Sequence, residues 1–118
     1  MKTNENVLYI HVPDLEDSFS RIVLEGRSYL IRFTYNGARD RWSFGLYNMQ
    51  KAPIAIGLPI VPQFPLNMQI VHGDFPPGVF GVYSDLEHVG RDDFLAGRAR
   101  FAYMPNDRED VSDGAVRT

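Results

Sequence analysis

The sequence predicts an all-β fold, a small antiparallel β-barrel or sandwich of about seven or eight short strands with one short helix near residues 90–97. Three observations predict it. Apolar and polar residues alternate with a period of two in several short runs, which is the pattern of half-buried strands. Gly, Pro, Asn and Asp separate those runs at short intervals. The pattern shifts towards helix once, in Gly90–Gly97.

Val7–Val12 (VLYIHV) has the β-branched and aromatic content of a first strand, closed by Pro13. Asp14–Ser18 is an acidic connection, read as solvated carboxylates and a possible short helical turn. Ser20–Tyr47 then reads as a three-stranded meander. A Gly26-Arg27 loop with Gly at its first central position predicts a type II′ hairpin. Asn36-Gly37 supplies residues that tolerate positive φ for the second reversal. In the middle strand Tyr29, Ile31, Phe33 and Tyr35 share one face, and Trp42, Phe44 and Leu46 repeat the pattern on the returning strand.

Prolines at 53, 59, 62 and 65 interrupt the next apolar run, and proline donates no hydrogen bond to a ladder. Ile54–Leu58 is therefore an edge or bulged strand. Pro59–Pro65 is an extended loop anchored on the core by Ile60, Val61 and Phe64, and strand order resumes over Leu66–Val71. Phe75-Pro76-Pro77-Gly78 is a turn in which two prolines preset φ and Gly78 takes a left-handed conformation, feeding a strand at Val79–Tyr83. Gly90–Gly97 carries early acids, then Phe94 and Leu95, then a glycine stop, which predicts one or two helical turns. Arg98–Met104 is the last strand, with Ala99, Phe101 and Tyr103 on one face.

At 118 residues the chain is expected to form one domain over residues 1–105, with residues 1–6 loose. The tail from Asn106 has four acidic residues, two arginines and two valines, and is expected to be disordered unless a partner holds it. No apolar run approaches the roughly 20 residues of a membrane-spanning helix, and MKTNENVLYI has no secretory pattern, so a soluble protein is expected. The chain has no cysteine, which excludes disulfides and thiolate metal sites. Its net charge of −3 offers no footprint for nucleic acid.

The sequence offers little reactive chemistry. His11, His72 and His88 lie in different segments without metal-ligand spacing, and no phosphate loop or nucleophile elbow is present. The carboxylates Asp85, Glu87, Asp92 and Asp93 form the densest acidic cluster, a conceivable hydrolase pair, but acids at a helix start are explained more simply by the macrodipole. Aromatics around Trp42 suggest, as the alternative function, a carbohydrate- or ligand-binding β module; core packing accounts for them more simply.

Four segments, DLEDSFSRIVLEGRSYLIRFTYN, RWSFGLYN, GLPIVPQFPLN and FPPGVFGVYSDLEHVGRDDFLAGRARFAYMP, resemble a family of small phage proteins, the cyanophage-type baseplate plug of contractile-tailed viruses. The resemblance spans Asp14 to Pro105 and leaves out the N-terminal strand and the tail. Its most specific pieces are Arg41–Tyr47, PQFPLN at Pro62–Asn67, and the string from Gly81 to Phe94. It implies a virion structural protein of the tail baseplate, made in the host cytoplasm, with no catalysis and no cofactor. The implied partners are other tail or baseplate proteins, hub or tube, in an oligomer within the virion, without nucleic acid or membrane. Rigid loops present surfaces at low entropic cost, so Phe64, Pro65, Phe75, Pro76, Pro77, Arg91, Asp92 and Asp93 are the candidate interface residues. Fold architecture is the competing use of the same positions.

Overall fold

The computed structural model describes residues 7–66 and 73–106. Among these residues seven strands form: β1 (Leu8–Ile10), β2 (Asp17–Leu24), β3 (Arg27–Asn36), β4 (Arg41–Tyr47), β5 (Pro53–Pro59), β6 (Val79–Ser84) and β7 (Ala99–Met104). They make two antiparallel sheets, β2-β3-β4-β5 and β1-β7-β6, which do not close into a barrel. The sandwich is the form taken. The expected loose start, the strand beyond Leu66, His72 and the tail beyond Asn106 lie outside the described residues.

The aromatic alternation brings the sheets together. Phe33 and Phe44 from one sheet meet Phe101 and Phe80 from the other: Phe33–Phe101 at 5.1 Å and 88°, Phe44–Phe101 at 5.0 Å, Phe44–Phe80 at 5.2 Å. All four rings are essentially buried. Each contributes roughly 1.5–3 kcal/mol through burial, and edge-on aromatic pairs add about 0.5–1.5 kcal/mol. Tyr29, Ile31, Trp42 and Leu46 complete the inner face of the meander, and Ala99 and Tyr103 that of β7, on the faces that their spacing predicts.

Turn chemistry departs from expectation in three places. Leu24 pairs with Arg27, so the loop is Glu25-Gly26, not Gly26-Arg27. Both residues have positive φ, 53° and 82°, which makes the hairpin type I′ and matches the twist of its strands. In the β3–β4 turn positive φ falls on Asp40 (52°), not on Asn36 or Gly37. Asn36 acts instead through its side chain, whose Oδ1 accepts from Ala38 N (3.0 Å) and Arg39 N (3.3 Å). Gly78 is not left-handed either; a Cβ there would overlap Met104 O and the Tyr103 ring.

The helix expected over 90–97 does not form. Residues Arg91–Gly97 are a run of turns, with one helical-type bond from Ala96 N to Asp92 O (2.9 Å). The other bonds are turn and helix-end bonds, from Asp93 N to Gly90 O (3.3 Å), Gly97 N to Phe94 O (3.2 Å) and Arg98 N to Asp93 O (2.9 Å), and Trp42 Nε1 from the other sheet also takes up Gly90 O (3.0 Å). The glycine stop holds, since Gly97 has φ 80°. The acidic connection is likewise shorter than expected, because β2 begins at Asp17, whose carboxylate forms a two-point pair with Arg32 (2.8 and 2.7 Å).

β5 is an edge strand, as its prolines require, and it has register shifts against β4 and a left-handed Gly57. From its end the chain crosses to the other sheet. Ile60 N donates to Trp42 O (3.0 Å), Val82 N to Gln63 O and Leu66 N to Phe80 O (both 2.8 Å). The segment thus satisfies the outer edge of β6. Ile60 is a buried anchor and Phe64 a half-buried one, whereas Val61 is exposed.

Candidate protein interface

The eight candidate residues fall at three places. Phe64 lies flat on Tyr83 (centroids 4.6 Å apart, 10° between planes) over Gly81, where any Cβ would overlap its ring. Glycine is required there by the close approach. The Phe64–Pro65 peptide is cis, and Pro65 is exposed beside the ring.

Phe75, Pro76 and Pro77 sit at the end of the sandwich that carries the β2–β3 turn. Phe75 is half-buried with its ring 5.8 Å from Phe80, Pro76 is buried and Pro77 exposed. Gly78 N donates to Tyr103 Oη (2.7 Å), and that hydroxyl donates in turn to Glu25. Burial, then the Glu25 carboxylate, pushes the Tyr103 phenol well above its ordinary range. The left-handed Glu25 is thereby tied to the start of β6.

Arg91, Asp92 and Asp93 lie at the opposite end. The Arg91 guanidinium packs over Trp42 (5.6 Å) and Tyr35 (5.8 Å) and reaches Asp14 (3.0 Å) and Glu16 (3.7 Å). Asp93 accepts from Gly90 N (2.6 Å) and Arg98 Nε (2.7 Å), which together hold its carboxyl below the usual range. A general acid needs the opposite shift. Asp92 is the exposed member of the three. Next to them Asp40 accepts from Tyr35, a bond that raises the phenol to about 12, and lies 3.0 Å from His88 Nε2.

Pro65, Pro77 and Asp92 thus present themselves to solvent, and Phe64, Phe75, Pro76, Arg91 and Asp93 hold those positions in place. The structure does not gather the eight into one patch. Trp42 is 2 % exposed with its indole N–H on Gly90 O, and Phe33 and Phe44 are buried. Of the rings that motivated a stacking site for sugars, Tyr29, Phe33, Trp42 and Phe44 therefore fill the core, and Tyr35 and Tyr47 are half-buried. Among the described residues no group of three or more His, Asp or Glu side chains has metal-binding geometry.

Among the described residues β1 and β2 form a flank without a strand partner, for which the sequence holds little sign. Leu8 (41 %), Tyr9 (49 %) and Val23 (48 %) are large apolar side chains exposed there. The only signal was the strand character of Val7–Val12; that it ends at a free edge is a tertiary fact.

No curated protein matches the chain. A family model does, that of the cyanophage baseplate plug, described as Cyanophage baseplate Pam3 plug gp18, and it covers residues 7–106. The match starts earlier than the resemblance from Asp14 and so takes in β1. With seven strands, two sheets and the flanking loops inside that span, the chain belongs to the cyanophage baseplate plug family.

Proposed function

We propose that the protein is a non-enzymatic structural subunit of a contractile-tail baseplate that works by assembly with hub or tube proteins. The observation that carries this reading is the family match over residues 7–106. The subunit needs no cofactor. It helps to close or organise the tail channel until contraction, in an oligomer within the virion after synthesis in the host cytoplasm.

The rigid loops supply the contacts. Pro65 and Pro77 are exposed positions whose neighbours Phe64, Phe75 and Pro76 are packed, so little loop entropy is lost on docking. Asp92 offers a charge at the other end, held by the Arg91 and Asp93 anchors. Three separate positions suit a subunit wedged between neighbours.

Cryo-electron microscopy of the parent virion tests the reading. The expected result is density for this fold in the centre of the baseplate, with neighbours touching the loops at 64–65, 75–77 and 91–93. A baseplate without the chain would overturn it.

A further inference from the structure

Among the described residues the sandwich has one flank sealed along β6 and one open flank at β1 and β2, and the open one has the character of a strand-binding site. The backbone directions follow from alternation. Val82 N and Phe80 O bond to the 63–66 segment, so Val79, Gly81 and Tyr83 turn their backbone groups towards β7. Their partners Arg100, Ala102 and Met104 face β6, which leaves Phe101 and Tyr103 to bond Ile10 and Leu8. The N–H and C=O of Tyr9 therefore point away from the sheet. On β2, Tyr35 N donates to Glu16 O (2.8 Å), so residues 18, 20, 22 and 24 face β3 and Phe19, Arg21 and Val23 face outward. β1 and β2 are not paired with each other.

Between these edges lies a cavity of about 420 Å³ lined by Leu8–His11 and Ser20–Val23. A second, of about 340 Å³, shares Tyr9, Ile10 and His11 and adds Phe94, Leu95 and Arg100. A strand laid along β1 sends successive side chains to opposite sides, and two cavities flanking one edge are what such a strand requires.

Charge selects the occupant. His11, Arg21 and Arg100 line the two cavities, and no carboxylate does. Arg21 bonds the neutral Ser28 hydroxyl (3.1 Å), and Arg100 lies 4.0 Å from the Tyr9 ring centre. Among the described residues neither forms an ion pair, whereas Arg27, Arg32, Arg91 and Arg98 each do. This is a cationic edge on a chain of net charge −3. Edge-to-edge pairing of two copies would set these cations against each other, which disfavours a second copy.

We infer that the free edges of β1 and β2 take up an extended acidic strand of a neighbouring protein, with Tyr9 supplying backbone hydrogen bonds and Arg21 and Arg100 meeting its carboxylates. This rests on the assembly reading above and deepens it by naming the class of partner segment.

The test uses the full chain and two fluorescent hexapeptides, one alternating Glu and Val and one alternating Lys and Val. The Glu peptide is expected to bind, to weaken as salt rises, and to protect the Tyr9 and Val23 amides from hydrogen exchange; the Lys peptide is not expected to bind. Arg21→Glu should weaken binding about tenfold or more, since it reverses a contacting charge. Tyr9→Pro removes an outward N–H without touching the β1–β7 bonds and should abolish binding; if it unfolds the chain, the exposed Arg21→Glu variant still decides. Equal binding of both peptides, no binding of the Glu peptide, or binding unchanged by Arg21→Glu overturns the inference. So does self-association that is lost in Arg21→Glu while the Glu peptide fails to compete, because the occupant is then a second copy. A virion that contains the chain while the Glu peptide fails leaves the assembly reading standing and removes only this one.

Discussion

On one flank of the sandwich the segment from Ile60 to Leu66 crosses between the sheets, bonds Trp42, Phe80 and Val82 through the backbone, and sets Phe64 against Gly81. On the other flank β1 and β2 approach without pairing, and Leu8, Tyr9 and Val23 remain exposed beside Arg21 and Arg100. The two flanks meet one physical problem, unpaired strand edges, in different ways. A proline-rich segment that cannot become a central strand is well suited to capping an edge, because its few N–H groups can be spent where they are needed. Cationic side chains leave the other edge available but repel a copy of itself. A capped edge stabilises the fold, whereas a charged, uncapped one stays available to a partner of opposite charge.

The comparison breaks most completely if the core that both flanks share is emptied. Phe101→Ala removes the ring that touches Phe33, Phe44 and Phe80, and should cost about 3–5 kcal/mol in urea denaturation. The sealed flank alone is broken by Gly81→Val. The added carbons displace Phe64, and overpacking of this kind costs about 1–3 kcal/mol. Hydrogen exchange should then speed up at Leu66 and Val82 while the β1 amides keep their rates.

Asp93→Asn sharpens the picture at the end where neither flank decides stability. The folded carboxyl has a depressed pKa, so its contribution is fully present above the ordinary carboxylate range and is lost as pH falls through the folded value. Urea midpoints measured from pH 6 down to pH 2 should drop less steeply in the variant. On the inner face of β2, Ser18 Oγ is buried without a hydrogen-bond partner among the described residues, and Ser18→Ala should stabilise by up to about 1 kcal/mol. The smallest effect belongs to the open flank. Val23→Thr, half exposed on β2, should move stability by no more than about 0.5 kcal/mol while changing uptake of the Glu peptide.

Much of this was legible in the sequence. Faces were readable because side chains alternate whatever lies opposite, so Tyr29, Ile31 and Phe33 had one side to share; the proline run excluded a central strand for a reason internal to each residue. The candidate loops were visible as rigid punctuation. Which of their residues stay exposed was not, since Pro76 and Arg91 are taken up by neighbours distant in sequence.

By itself the sequence determined the all-β class, the two faces of the meander, the position of the glycine stop at Gly97 and the lack of a thiolate or phosphate-binding motif. Those properties rest on covalent geometry and near neighbours. Tertiary structure decided the rest: that Glu25 and Gly26 together make the first turn, that Trp42 takes up the Gly90 carbonyl at the start of residues 90–97, and that, among the described residues, β6 is capped while β1 and β2 are not. An edge is free or covered according to what folds beside it, and neither side of that relation is written in the strand.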